Sequence, residues 1–186
     1  MSVYDLPTSL TIGGVGYPIR YGWRAVVDVL DAFSDPEMDE EAKVLYMLMV
    51  MYPTLKDIPE RLIPEACEKA AAFIDCGQKE DGNKPKLIDW RQDASIIISE
   101  INNVAKREIR LDPNIHWWTV FSWFMSIGDG RLASVLHIRQ KKARHKKLEK
   151  WEQEYYRKNK HQVDLKKRYT AEELAEQARL KKLLGE

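Results

Sequence analysis

This sequence is poor in the features that announce chemistry. It has two cysteines in 186 residues, Cys67 and Cys76, with no second pair. That excludes a disulfide framework and a cysteine-rich zinc site. Both are read as reduced thiols, with Cys67 in the core. Four histidines are scattered along the chain. His137 and His145 can share a helix face, but no cysteine or carboxylate completes a ligand set. There is no GxSxG, no HExxH and no complete phosphate loop. No apolar run reaches the roughly 18–20 residues that a spanning helix needs; the longest are residues 44–52 and 117–127. The opening decapeptide, MSVYDLPTSL, has no basic flank and no apolar stretch, so no signal peptide is expected. These absences point to a soluble cytosolic protein that is not an enzyme, with no catalytic, cofactor-binding or metal residues.

What is present is a core and a divided charge. Hydrophobic residues make up 44% of the chain, enough to bury a real interior. The net charge of +1 conceals an asymmetry. Residues 131–186 hold 17 Lys and Arg against 8 Asp and Glu, hence +9; residues 1–130 hold 13 against 21, hence −8. The chain therefore reads as an acidic body and a basic arm. Such an arm can meet nucleic acid, an acidic protein face or a neighbouring copy.

Hydrophobic spacing supplies the elements. Residues 9–20 alternate around Gly13-Gly14-Val15-Gly16, which predicts a small hairpin with Pro18 on an edge strand. Trp23, Val26, Val27, Leu30 and Phe33 share a helical face. Asp35-Pro36 has the form of an N-cap followed by proline at the first helical position. The helix expected from there to Tyr52 is apolar almost all round after Val44, so it is buried on several sides or lies at a contact. Its Met47, Met49 and Met51 suit gap-filling or an interface rather than a metal site. A third helix is expected over 64–76, stopped by Gly77, and a polar surface loop over 77–86.

Residues 87–139 carry four of the six tryptophans and two strong helical patterns. Asp89 is the expected cap of the first, which runs to about Ala105; Asp112-Pro113 is the expected start of the second, which runs to Ile127. His116 suits a hydrogen-bonded residue at the rim of the core. Asp89 and Asp93 imitate an acid/base pair, but the better reading is a cap and an ion-pair partner. A last long helix is expected from Arg131 to about Lys158, with Leu148, Trp151 and Tyr155 forming a narrow seam. Thr170 to Glu173 is a capping box for a short terminal helix bearing Leu174, Leu180, Leu183 and Leu184.

Two segments resemble a known family. Ile88-Asp-Trp-Arg-Gln-Asp-Ala94, followed by Asn114-Ile-His-Trp-Trp-Thr119, is similar to the phage gene-product-fifteen family, from the tail-gene region of long-tailed phages and prophages of Gram-positive bacteria. Ile138-Arg-Gln-Lys-Lys-Ala-Arg144, Tyr155-Tyr-Arg-Lys-Asn159 and the Tyr17-Pro-Ile19 and Trp23-Arg24 pieces also resemble it. The resemblance implies a tail assembly chaperone in the host bacterial cytoplasm. It would bind and shield the tape-measure protein while tail-tube subunits polymerise along it.

The expected fold is mostly α: a helical body with an N-terminal hairpin over residues 1–138, and an extended basic helical arm over 139–186. The expected partners are the tape-measure protein or other tail proteins, with self-association, little affinity for nucleic acid and none for membranes. The charge split allows a head-to-tail contact between copies that can build an open spiral. The partner-binding candidates are Met47, Met49, Met51, Arg139, Lys142, Lys146, Trp151 and Tyr155. The alternatives are a nucleic-acid-binding protein acting through 139–150, and a structural component of the virion tail.

Overall fold

The hairpin forms as the alternation requires. In the computed structural model, which describes residues 5–78 and 85–184, β1 (Ser9–Ile12) pairs antiparallel with β2 (Val15–Pro18). Gly13 and Gly14 make the turn, both at positive φ, the geometry a two-residue hairpin loop demands. The Gly13 N–H donates to Glu65 Oε2 at 3.0 Å, which ties the turn to the third helix.

Among the described residues there are eight α-helices. The first, α1 (Trp23–Ala32), buries Trp23, Val26 and Val29. The second, α2 (Glu40–Met51), begins later than Asp35-Pro36 suggests. Asp39 is the cap, accepting from the Ala42 N–H at 2.8 Å, and Glu40 and Glu41 place acid at the positive helix end. Asp35 instead closes a local turn on the Glu37 N–H. The third, α3 (Ile63–Ile74), carries Pro64 in its first turn. Most of the expected 77–86 loop lies outside the described residues.

Helix α4 (Ala94–Ala105) starts a turn after Asp89, which caps the preceding turn by accepting from the Arg91 and Gln92 N–H groups. Helix α5 (Trp117–Met125) is shorter than the 113–127 pattern. Asp112 is spent on a turn with the Asn114 N–H, and His116 is the actual cap, its Nδ1 accepting from the Trp118 N–H at 3.1 Å.

The expected long helix is two. Helix α6 (Arg131–Ala143) ends where His145 turns left-handed, and α7 (Lys150–Val163) restarts in a capping box between Glu149 and Glu152. The second helix runs back along the first: Lys141 pairs with Glu149 and Glu152, and Arg131 with Gln162. Helix α7 is kinked at Asn159 and runs on to Val163, and the chain is non-helical from there to α8, over residues 164–170. Helix α8 (Ala171–Leu184) follows its capping box as expected, with Thr170 and Glu173 exchanging hydrogen bonds.

The mostly-α architecture with its hairpin stands. Its core is centred where the 87–139 pattern places it: Ile97, Ile101, Trp117, Val120, Leu132, Val135 and Ile138 are all buried. They meet Val26, Val29, Met51 and Phe73 from the first three helices. No described helix is long and apolar enough to cross a membrane.

Candidate partner-binding surface

Asp89, Gln92 and Asp93 of the 88–94 segment are turned inward, while Arg91 stays exposed. Arg139, on α6, forms a two-pronged ion pair with Asp93, Nη1 to Oδ2 at 2.6 Å and Nη2 to Oδ1 at 2.8 Å. Both side chains are buried. The guanidinium also donates to the carbonyls of Leu87, Gln162 and Val163, so no donor is stranded in the apolar interior. Arg168 reaches Asp31 and Asp89 at 2.6 and 3.0 Å. Gln92 donates to the Asp164 carbonyl and accepts from the Lys166 N–H. Asp89, Gln92 and Asp93 together are therefore a receptacle for the chain at 162–168. Burial alone would raise the Asp89 carboxyl, but the Gln92 N–H, Arg168 and Lys86 outweigh it and hold the group below the usual carboxylate range.

The His-Trp-Trp segment does the same for other strands of the chain. His116 Nε2 lies 2.9 Å from the Pro7 carbonyl, which anchors the N-terminal segment. With Nδ1 accepting at the helix start, Nε2 carries the proton, and burial keeps the ring neutral by lowering its affinity for a second one. The indole N–H groups of Trp117 and Trp118 donate to the carbonyls of Ile74 and Phe73 at 2.7 and 2.8 Å. These are carbonyls in the last turn of α3, beyond the helix's own ladder of hydrogen bonds; that of Phe73 also accepts from the Cys76 N–H at 3.1 Å. Histidine and tryptophan here fasten elements together, although Trp117 also borders a pocket shared with Leu30, Trp90 and Phe121.

The partner-binding candidates separate sharply. Met47 and Met51 are core residues, 5% and 0% exposed, while Met49 is 58% exposed. Arg139 is buried and committed to Asp93. Lys142 is bound by Asp164 and Tyr156, whereas Lys146 is exposed. Trp151 is half-exposed and stacks on His137; Tyr155 packs against the core. Beneath Trp151 lies Glu152, wholly buried, bound by His137 and Lys141 and by the Glu149 N–H. Burial pushes its carboxyl up; Lys141, Glu149 and His137 together bring it below its usual range. Of the basic run, Arg139, Lys141 and Lys142 are thus occupied internally, leaving Arg144, Lys146, Lys147 and Lys150 facing solvent.

What the helical pattern left open was which side of α2 stays uncovered. Val44, Leu45 and Met49 stand on its outer face, and all three are exposed. Val44 and Leu45, with Leu48 and Ile63, line a shallow apolar groove whose polar members are Glu40 and Glu41, at the start of the helix; Met49 lies outside it. Solvent-facing helix positions are ordinarily polar, so this face is an uncovered apolar patch. Its signal in the sequence was the absence of any polar residue from 44 to 52. Among the described residues no group of three or more His, Cys, Asp or Glu is placed to hold a metal ion.

Comparison with known proteins agrees with the resemblance carried by these segments. A family model described as Bacteriophage Gp15 protein matches residues 3–165. No curated protein and no solved structure matches the chain.

Proposed function

The chain belongs to the bacteriophage Gp15 family, and from that premise we propose that it is a non-enzymatic tail assembly chaperone. Membership marks it as a phage structural or tail-related protein. The finer reading is that it binds the tape-measure protein in the host cytoplasm and shields it until tail-tube subunits polymerise along it.

The observation that carries this reading is the exposed outer face of α2. Val44, Leu45 and Met49 offer an apolar stripe with an acidic end. A long helical client with apolar faces is held by such contacts, one helix lying against another. Methionine at position 49 adapts to uneven side chains, as a client with many non-identical repeats requires.

Co-expression with the neighbouring tape-measure protein tests the proposal. The expected result is a soluble complex, lost in Leu45→Glu and Met49→Glu variants whose own folding is unchanged. A tape-measure protein that is no more soluble with this chain than without it would sink the reading. Recovery of the chain in finished particles would replace it with a structural role in the tail.

A further inference from the structure

Helix α8 has no visible reason to be a helix where it stands. It is 14 residues long, and isolated helices shorter than about 12–15 residues are marginal in water. Through Leu183 every residue of it is exposed except Glu173 and Gln177, which are half-buried. Leu174, Leu180 and Leu183 are 53%, 51% and 74% exposed. A helix that shows three leucines to solvent lacks a cover.

The α2 groove lacks one too, and the two features match in charge. The groove carries Glu40 and Glu41 at one end; Glu40 is 84% exposed and shares its carboxylate with Lys43 at 2.7 Å, so Glu41 is the main acid a partner cation would meet. The second half of α8 interleaves its leucines with Arg179, Lys181 and Lys182, all exposed. An apolar helix edge flanked by cations therefore meets an apolar groove closed by acids.

The helix does not cover its own groove. It is rooted beside it: the Ala171 N–H donates to Glu37 Oε1, three residues before α2 begins. The capping box at Thr170 starts the helix at that root, and the residues that follow are mostly exposed. Root and groove thus lie on the same side of the molecule. A two-fold axis beside them brings each helix to the other copy's groove in one operation.

We infer that the α2 groove receives α8 of a second copy of this chain, in a reciprocal dimer. Leu180 and Leu183 enter between Leu45 and Ile63, and Arg179 and Lys182 meet Glu40 and Glu41. The contact is isologous and closes on itself, unlike the open head-to-tail spiral that the charge split alone allows. It stands without any statement about the tape-measure protein, although both would use the same face.

Sedimentation velocity of the full-length chain over a wide concentration range tests the dimer. The expected result is a concentration-dependent dimer. Leu45→Glu, and Leu180→Glu with Leu183→Glu, should each weaken it at least tenfold with unchanged melting temperature, since all three positions are exposed. Glu40→Lys with Glu41→Lys should also weaken it, and adding Arg179→Glu with Lys182→Glu should restore it. A monomer at every concentration overturns the inference. So does a dimer lost in the Leu180/Leu183 variant but untouched by Leu45→Glu, which would mean that α8 pairs with α8. Hydrogen-exchange protection of α8 in a monomer would mean that the helix folds over its own groove, and overturns it equally. Because tape-measure binding is not read in this experiment, its outcome leaves the chaperone reading to its own test.

Discussion

Arg139 and Asp93 form a bidentate ion pair at 2.6 and 2.8 Å with both side chains buried, 46 residues apart in sequence. It joins the first strong helical segment of the core to the start of the basic region. Removing one member leaves the other charged and buried. Arg139→Ala or Asp93→Ala should each cost about 3–5 kcal/mol. Arg139→Met with Asp93→Leu should cost less than the two single changes combined. Urea unfolding of the four proteins measures both statements.

Acid should loosen the 162–168 segment before the helical core. Asp89 and Glu152 are both held below their ordinary values of 3.8 and 4.5. A carboxylate lowered by folding contributes stability that is present above its unfolded value and lost as pH falls through its folded one. His116 adds in the same direction: folding lowers it from 6.5, so its contribution is complete above that value and shrinks below it. Hydrogen exchange as a function of pH should show the amides of 163–168 opening as pH falls below 3.8, the ordinary value from which Asp89 is lowered. Asp89→Asn should flatten that dependence.

The two lysines proposed as partner contacts should behave differently. Lys146 is exposed, and Lys146→Ala should change stability by less than about 0.5 kcal/mol. Lys142 bridges Asp164 and Tyr156 from α6 to the end of α7. Lys142→Ala should cost about 1 kcal/mol, within the range of a half-exposed pair. Thermal melts at low and high salt separate the cases, since only the Lys142 effect should shrink with salt.

Gly22 should tolerate no side chain. A Cβ there would lie 2.9 Å from the Pro113 carbonyl oxygen. The clash is with backbone, at the point where Gly22 and His116 bridge, so neither side can rotate away. Gly22→Ala should cost about 1–3 kcal/mol, read as a drop in melting temperature. Gly14→Ala meets open space but keeps a φ of +82°, and should cost about 1–2 kcal/mol through backbone strain alone.

Some of the molecule was legible from residue order. The hairpin, the Thr170 capping box, the helical character of the chain and the central place of 87–139 all follow from local rules: spacing, turn glycines and caps. The family resemblance was legible too, carried by 88–94 and 114–119. Helix starts were less so, because Asp35, Asp89 and Asp112 each have a cap's chemistry but spend it on a turn. A capping carboxylate serves whichever N–H groups the backbone brings within reach, and that depends on packing further along the chain.

Only the tertiary structure decided what the distinctive residues are for. Nothing local says that Arg139 in a basic run is buried, that Glu152 is wholly enclosed, or that Asp89, Gln92 and Asp93 receive the chain at 162–168. Those outcomes depend on α7 folding back along α6, which brings partners from 11 to 79 residues away. The same packing divides α2, hiding Met47 and Met51 and leaving Leu45 and Met49 outside. The apolar run 44–52 established that α2 would have two sticky faces. Which one the core would use, and which one stays exposed, depended on where the other helices had room to pack.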